Sequence, residues 1–332
     1  MSLTSFVKRS EVRDKIDKIF TKPSFGQKNI EIKAPSPENY SGKDYMLIGT
    51  AFDYLLRFYL KYKYPNKISD SHWVAHTSLY SLMKKTVYFP TKPYKKSKNF
   101  YGVANKFLTD NITIEIEDLE TVDDEEKHFS NLVDYFKNDN NFNTEVERQI
   151  QEMFNYILNA EKFYNQYLGD GKLREKLLQA VVDLAKIDGY YRGDKYNPTL
   201  GEYKKEYLED LKNLYKTIPN QNFSGDDVYL NPTFGQASSL VGGADADLII
   251  EGNLIDIKTT KNLSFTVKQW RQLIGYLTLI DIQGKFDIDK AGIYFSRHGY
   301  IYNFDADKVY NKTGYEEFKE WFGYQAESIF LG

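Results

Sequence analysis

The sequence has no cysteine among its 332 residues. Disulfide bonds, thiolate zinc sites and cysteine-held iron–sulfur clusters are therefore excluded. Disulfides are rare in the cytosol, so their exclusion favours a cytoplasmic location. Long apolar stretches are missing as well, because no window approaches the roughly 20 apolar residues that a membrane-spanning helix requires. The N-terminal stretch MSLTSFVKRSEVRDK is charged too early for a secretory signal, and we predict no association with a membrane.

A strong excess of charge of either sign is also missing. The 44 basic and 47 acidic residues leave a formal net charge of −3. This balance does not by itself indicate a nucleic-acid partner, although a mildly acidic protein can bind phosphates through a local basic patch. With 41% hydrophobic and 27% charged residues, the composition is that of a globular protein. Its length allows one large domain or two.

Helical patterns dominate the first two thirds of the chain. Residues 1–45 predict a short helix followed by irregular chain, and apolar spacing predicts a helix over Tyr45–Tyr64 and another over Ser71–Lys85. Helical periodicity returns over about Phe129–Tyr215. The breaks predicted within that stretch are Gly169, Gly189 and Pro198.

Strand patterns dominate after Pro219. The stretches DVYLNPTF, DADLIIEG, NLIDIKTT, AGIYFSR and GYIYNFD predict strands, with a helix over TVKQWRQLIGYLTLID and a terminal helix over 314–331. These elements predict an α/β fold of mixed (α+β) type, with a central mixed sheet flanked by helices and a large helical portion. We divide the chain into an N-terminal segment that contributes to the core (1–70), a mainly helical insertion or wall (71–215) and an α/β core (216–332).

The stretch GGADADLIIEGNLIDIKTT predicts two strands joined by a tight turn. With the turn at Gly252-Asn253, Asp247 lies opposite Lys258. Directly opposed residues share a face of a sheet, and alternate residues of one strand do too. The pattern therefore predicts that Asp247, Asp256 and Lys258 lie on one face of the hairpin.

The other face of this hairpin carries Ile250, Ile255 and Ile257, and we predict that it faces the core. Charges within an apolar hairpin are costly unless they are paired, bind a metal or belong to a site. Two carboxylates and a lysine on one patch suit Mg²⁺, which prefers oxygen ligands and usually takes one or two carboxylates. The alternative is an ordinary salt bridge on the solvent face, and the hairpin alone does not decide between the two.

These residues resemble the motifs of the PD-(D/E)XK nuclease superfamily, in which an acid on one strand precedes an acid-x-lysine triplet on the next. Asp247 matches the first acid, and Asp256–Lys258 matches the triplet. In the following helix, Gln272 and Tyr276 match the Q-x-x-x-Y motif of the RecB-like branch, and their i, i+4 spacing places them on one helix face. Upstream, GTAFDYLL is similar to the first motif of that branch, G-T-x-x-H, with Asp53 at the histidine position.

The resemblance implies a restriction-endonuclease-like core with a divalent metal cofactor, Mg²⁺ or Mn²⁺. It implies that Asp53, Asp247, Asp256 and the carbonyl of Ile257 are metal ligands. The sequence departs from the branch in two ways. Asp53 replaces the histidine, and the cysteines that hold an iron–sulfur cluster in many members are missing, so no iron–sulfur cluster is expected.

The resemblance also implies a catalytic set of Asp247, Asp256, Lys258, Gln272 and Tyr276. In this set Lys258 positions or activates the attacking water, and the product carries a 5′-phosphate. Gln272 and Tyr276 orient the active face and the DNA strand.

We therefore predict a metal-dependent deoxyribonuclease, a stand-alone RecB-like exonuclease acting on double-stranded ends or single strands in phage recombination, repair or defence. The helical portion would select the DNA form. A homo-oligomer or a recombination protein is a further predicted partner. Two alternatives stay open: a site-specific restriction-type endonuclease, and a catalytically inactive nucleic-acid-binding module on the same fold.

Other basic and polar residues carry weaker signals. Lys95, Lys96 and Lys98 in a basic, aromatic loop, together with Arg271, are candidates for contact with DNA phosphates, with a solvated surface as the alternative. Asp245 points to the same face as Asp247. In the sequence HWVAH, His72 and His76 have the i, i+4 spacing that can bind zinc. No third ligand is evident, and the tryptophan between them indicates packing.

Overall fold

The structure is a computed structural model that describes residues 2–26, 29–65, 73–83, 145–193, 196–220, 223, 225–310 and 312–330. The chain forms two compact units. The first contains the described residues within Met1–Ser36, Tyr64–Ser69 and Asn213–Gly332, and the second those within Pro37–Lys63 and Asp70–Lys212. The predicted basic loop with Lys95, Lys96 and Lys98 lies outside the described residues.

The helices within the described ranges include one over Gly235–Leu240 that was not predicted. They are α1 (Leu3–Phe6), α2 (Ser10–Ile19), α3 (Gly42–Lys63), α4 (Val74–Met83), α5 (Glu145–Asp170), α6 (Glu175–Gly193), α7 (Lys205–Thr217), α8 (Gly235–Leu240), α9 (Val267–Gln283) and α10 (Lys312–Phe330). The predicted break at Gly189 is wrong, because this glycine lies inside α6. None of the helices in the described ranges is both long enough and apolar enough to span a membrane.

A five-stranded mixed sheet organises the first unit. Its strands are β1 (Val228–Leu230), β2 (Leu248–Ile250), β3 (Asn253–Lys258), β4 (Lys290–Phe295) and β5 (Tyr300–Asp305), in the spatial order of the chain. All neighbours pair antiparallel except β3 and β4, which are parallel and joined through α9. The predicted α/β class with a central mixed sheet is confirmed.

The β2–β3 register differs from the predicted one. Ile250 pairs with Asn253, and Ile249 lies opposite Leu254 rather than Asp256. The turn is therefore Glu251-Gly252, and both residues have positive φ, 45° and 65°, as a tight hairpin turn requires. The prediction that Asp247 lies opposite Lys258 is wrong. The shift is an even number of residues, so the two carboxylates and the lysine still share a face.

The predicted core face is buried at Ile250 and Ile255, but the other face of the hairpin is part of a core too. A hydrophobic cluster lies on the face of Ile249 and Leu254, which is the face that carries Asp256. Helix α9 covers this face with Trp270, Leu273, Ile274 and Leu277, and α1, α2, α8 and α10 complete the layer. The opposite face is buried too at Ile250 and Ile255. Because both faces of a central strand are covered, alternation alone could not assign the core to one face.

The second unit contains buried polar pairs among its helices. The Tyr54 hydroxyl donates to Asp188 Oδ1 at 2.7 Å, and His76 Nε2 lies 3.2 Å from Glu161 Oε1. The ring of His76 stacks on Trp73 with centroids 5.4 Å apart and an interplanar angle of 9°. The packing predicted for this tryptophan is confirmed. The other histidine of the pair, His72, lies outside the described residues.

We expect His76 to make the folded protein sensitive to acid. Burial lowers the pKa of His76 from 6.5 to about 3, so the folded state keeps the imidazole neutral while the unfolded chain binds a proton. Its contribution to stability is therefore complete above about pH 6.5 and is lost as the pH falls toward 3, by up to about 1.4 kcal/mol per pH unit.

Urea denaturation of the wild type and His76→Gln between about pH 8 and pH 4 measures this loss. Glutamine does not titrate, so the free energy of unfolding of the variant should decline less steeply in acid. Parallel declines for the two proteins would contradict the assignment.

Candidate functional site

Asp256 is the carboxylate at the centre of the candidate site. It lies in β3, beside Ile293 of β4, and only 2% of its surface is exposed. Lys258, two residues on and therefore on the same face, brings its Nζ to 2.5 Å from Asp256 Oδ2. The lysine side chain keeps 24% exposure. The pair thus places one charge within the sheet and the other at its accessible end.

Asp247 is fixed by the strand pairing that surrounds it. It directly precedes β2, and its carbonyl accepts a hydrogen bond from Asn231 N–H at 3.0 Å. Its carboxylate Oδ2 accepts a hydrogen bond from the backbone N–H of Ile257 at 2.6 Å. The Asp247 carboxylate therefore accepts a β3 N–H that a backbone carbonyl accepts in a regular strand pair. This hydrogen bond holds the side chain against the segment with the acid-x-lysine triplet.

Gln272 and Tyr276 are the residues of α9 that lie near the same carboxylates. The Gln272 Nε2 donates to the Tyr276 hydroxyl at 2.9 Å. Burial raises the pKa of Tyr276 well above its usual value, and the negative charges of Asp256 and Asp247 raise it further. The phenol is therefore neutral, and its hydroxyl lies within electrostatic range of both carboxylates.

The local sequence explains why α9 presents these two residues. The helix begins with a capping box, in which the Thr266 side chain accepts from the Gln269 N–H and the Gln269 side chain accepts from the Thr266 N–H. It ends at Gly284, which adopts the left-handed conformation with φ 66°. Between these caps Gly275 lets α1 approach closely, since a Cβ there would lie 2.8 Å from a methyl carbon of Leu3.

The structure thus groups five sequence-predicted residues around one sheet face: Asp247, Asp256, Lys258, Gln272 and Tyr276. Asp245 joins them at the exposed edge, because its charge also raises the pKa of Tyr276. Ile257 contributes its N–H to Asp247. The role of its carbonyl as a metal ligand stays a prediction.

Asp53 belongs to the second unit, where it lies on α3. Its Oδ2 accepts a hydrogen bond from the Arg57 guanidinium one helical turn away, and the Arg57 side chain is 5% exposed. The guanidinium also lies over the ring of Tyr54, 4.6 Å from its centroid. A metal at Asp53 would have to compete with this buried cation. The metal role of Asp53 stays a prediction.

Arg271 has a structural partner within the first unit. Its Nε donates to Asp17 Oδ1 at 2.9 Å, which links α9 to α2. This ion pair occupies the side chain that was predicted to contact DNA, and the contact with DNA stays a prediction.

The donor set fits a hard divalent cation in part. Within the described ranges no three His, Asp or Glu side chains form a group that could hold a metal ion. The hairpin offers the carboxylates of Asp247 and Asp256, and Mg²⁺ commonly binds through one or two carboxylates with water and substrate phosphate completing its shell. Two carboxylates beside a lysine meet that smaller requirement.

Comparison with models of protein families, with curated proteins and with solved structures gives no match to this chain. The resemblance to PD-(D/E)XK nucleases therefore depends on the motif residues. Those of the hairpin and α9 lie within the first unit, whereas Asp53 lies in the second.

We expect Asp247 to contribute to stability as well as to the site. Asp247→Ala should lower the free energy of unfolding by about 1–3 kcal/mol, because it leaves the N–H of Ile257 without its acceptor. Asp247→Asn keeps an oxygen acceptor and should lose less.

Denaturant unfolding of the two variants measures this difference, with Asp245→Ala as the control at the exposed edge. The control should change the free energy of unfolding by less than about 0.5 kcal/mol. If Asp247→Ala and Asp245→Ala are equally stable, the side chain does not support β3.

Proposed function

We propose that this protein is a metal-dependent nuclease that hydrolyses phosphodiester bonds of DNA, a stand-alone exonuclease similar to the RecB-like branch. Phage recombination, repair or defence is the biological setting that this likeness suggests. One observation carries the proposal: Lys258 contacts the buried Asp256 on a sheet face beside Asp247 and the hydrogen-bonded Gln272–Tyr276 pair of α9.

A purely structural role is a weak explanation for this pair. Burying the Asp256 carboxylate costs desolvation energy, and apolar residues of similar volume often replace a buried ion pair without loss of stability. β3 is otherwise an apolar strand between two strands, where such residues would pack well. Charged groups retained at such a position are typical of a functional site.

Asp247 and Asp256 are the residues that would hold Mg²⁺ or Mn²⁺. When bound, such an ion lowers the pKa of a coordinated water and offsets the negative charge that develops on the phosphate. The Ile257 N–H that binds Asp247 Oδ2 orients this carboxylate toward β3. The Lys258 ammonium orients Asp256.

Lys258 would act on the water that attacks the phosphate. Lys258 is the last residue of β3, and its Nζ lies against the Asp256 carboxylate. Its side chain is 24% exposed, so a substrate phosphate can approach it there. There the ammonium can hold the water by a hydrogen bond or, once deprotonated, accept its proton. Tyr276, kept neutral by burial and by the neighbouring carboxylates, can donate a hydrogen bond from its hydroxyl and so fix their orientation.

A binding module without cleavage activity is the second candidate. Two observations favour it: Asp53 is engaged by Arg57, and the described residues contain no three-carboxylate or histidine–carboxylate metal group. The two candidates differ in their response to divalent metal, which cleavage assays detect directly.

We expect the wild type to cleave labelled DNA with Mg²⁺ or Mn²⁺ and not with EDTA. Lys258→Ala and Asp256→Ala should abolish cleavage. Lys258→Ala should leave most of the DNA affinity, since one lysine is a small part of a phosphate-contacting surface. Asp256→Ala should tighten binding in EDTA, because a negative charge near phosphate is removed. Linear, circular and single-stranded DNA distinguish an exonuclease from a restriction-type endonuclease, which would give defined plasmid bands.

The matched control is Lys308→Ala, which breaks an exposed lysine–aspartate pair with Asp305 in the same unit. It should cleave as the wild type does. Thermal unfolding of each variant is measured in parallel, because removing one partner of a buried pair destabilises the fold. Wild-type protein that binds every DNA form and leaves all of them intact with both metals would eliminate the nuclease and favour the binding module.

We also expect Tyr276→Phe to slow cleavage about tenfold to a hundredfold, because it removes a hydroxyl that accepts from Gln272 and can donate to the neighbouring carboxylates. DNA affinity should change by less than about twofold. Single-turnover cleavage and a binding titration measure the two effects. Tyr302→Phe, which removes a phenol bonded to the Ser24 carbonyl in the same unit, is the control. Equal rates for the two variants would exclude this role for Tyr276.

A further inference from the structure

The turn between β4 and β5 is unusually buried for a polar connection. It is a single 3-10 turn over Ser296–His298. Ser296 and Arg297 are 0% exposed and His298 is 4% exposed. Connections between antiparallel strands normally lie on the surface, and arginine is almost never fully buried unless it is paired. Within the first unit, the Ser296 and Arg297 side chains of this turn donate to Thr259 and Ala34.

This turn lies at the carboxyl end of the only parallel strand pair in the described sheet. Lys258 at the end of β3 is opposite Phe295 at the end of β4. The residues that follow these two, Thr259 and Ser296, are hydrogen-bonded, with Ser296 Oγ donating to Thr259 Oγ1 at 3.0 Å. The carboxyl ends of parallel strands are where open α/β sheets bind ligands. The turn is thus adjacent to the proposed catalytic lysine.

Positive charge collects at the same end of the sheet. The carbonyl of Arg297 accepts hydrogen bonds from the N–H groups of Lys33 and Ala34 at 2.8 and 2.9 Å, and Arg297 Nη1 donates to the Ala34 carbonyl at 3.0 Å. These bonds fasten the irregular segment after α2 onto the turn. They hold the exposed Lys33 beside the buried guanidinium.

His298 contributes a buried ring nitrogen, Nδ1, to this end of the sheet. Its Nδ1 is buried and has no hydrogen-bond partner among the described residues. Burial and the charge of Arg297 lower the pKa of His298, so the ring is neutral. Buried polar atoms nearly always have a partner, so this nitrogen is a position that an ordered water or a ligand can fill.

We propose that Thr259, Ser296, His298 and Lys33 form a phosphate-binding site at the carboxyl ends of β3 and β4, next to Asp256–Lys258. The ligand is a phosphate group of the nucleic-acid strand. That the phosphate belongs to a nucleic acid rests on the proposed function, whereas the binding of phosphate by these residues does not. Ser296 donates to Thr259, which leaves the Thr259 hydroxyl proton for a phosphate oxygen. Lys33 supplies the charge, and His298 supplies a buried nitrogen that a phosphate oxygen or a bridging water can reach.

Histidine NMR tests this site directly. The chain has only four histidines, so the imidazole nitrogen signals of His298 can be assigned by comparison with His298→Gln. We expect the His298 signals to shift on titration with a 5′-phosphorylated single-stranded oligonucleotide in EDTA. Parallel titrations use its 5′-hydroxyl counterpart and inorganic phosphate.

The three titrations separate the sources of phosphate. Equal shifts with both oligonucleotides support a backbone phosphate, and a shift confined to the 5′-phosphorylated one supports a terminal phosphate. A shift with inorganic phosphate and neither oligonucleotide would overturn the assignment to a nucleic-acid strand. No shift with any of the three would overturn the site.

Lys33→Gln provides a second test that does not depend on a buried residue. It should weaken oligonucleotide binding about threefold to tenfold at low salt and reduce the salt dependence by about one phosphate contact. The matched control is Lys290→Gln, an exposed lysine at the opposite end of β4, which should change affinity by less than about twofold. Equal losses for the two variants would show a general charge effect and no site.

These measurements are made without divalent metal, so they do not require cleavage. A protein that fails every cleavage assay but shows the His298 shift and the Lys33 effect keeps the phosphate site and loses the nuclease assignment. A protein that cleaves DNA but shows neither response keeps the nuclease assignment and loses this site.

Discussion

The contact between the Lys258 ammonium and the buried carboxylate of Asp256 is the constraint around which the first unit is arranged. A carboxylate in a strand covered on both faces needs a cation close by, and a lysine two residues along the same strand is the nearest position on its own face. The lysine remains partly hydrated because it is the last residue of the strand. This position places the polar site at the carboxyl end of β3, where β4 also ends.

Tyrosine recurs as the partner of buried carboxylates in the second unit. Tyr54 donates to Asp188, and the hydroxyls of Tyr203 and Tyr207 donate to Asp183 and Asp44. A phenol stabilises a carboxylate without adding a second buried charge, so its desolvation cost is lower than that of lysine or arginine. The 28 tyrosines of the chain thus include several with a defined electrostatic role. In the first unit the Tyr276 phenol is close enough to two carboxylates for their charges to raise its pKa.

Sequence patterns predicted the parts of the fold that depend on local periodicity. The helix with Gln272 and Tyr276, the strand-forming stretches and the common face of Asp247 and Asp256 follow from periods of 3.6 and 2. The register did not follow, because nothing local indicates that Glu251 adopts positive φ. The turn with His298 was missed because parallel pairing joins strands that are distant in sequence and leaves no local signal.

The turn residue Glu251 makes the site dependent on loop length. Its carboxylate accepts hydrogen bonds from the N–H groups of Asp226 and Asp227, and its own N–H donates to the Asp227 carbonyl. The chain before β1 thereby clamps one of the two turn residues. Insertion or deletion of a single residue here would rotate β3 by one position, so that Asp256 and Asp247 would face opposite sides of the sheet. During evolution this hairpin can therefore exchange side chains far more readily than it can change its number of residues.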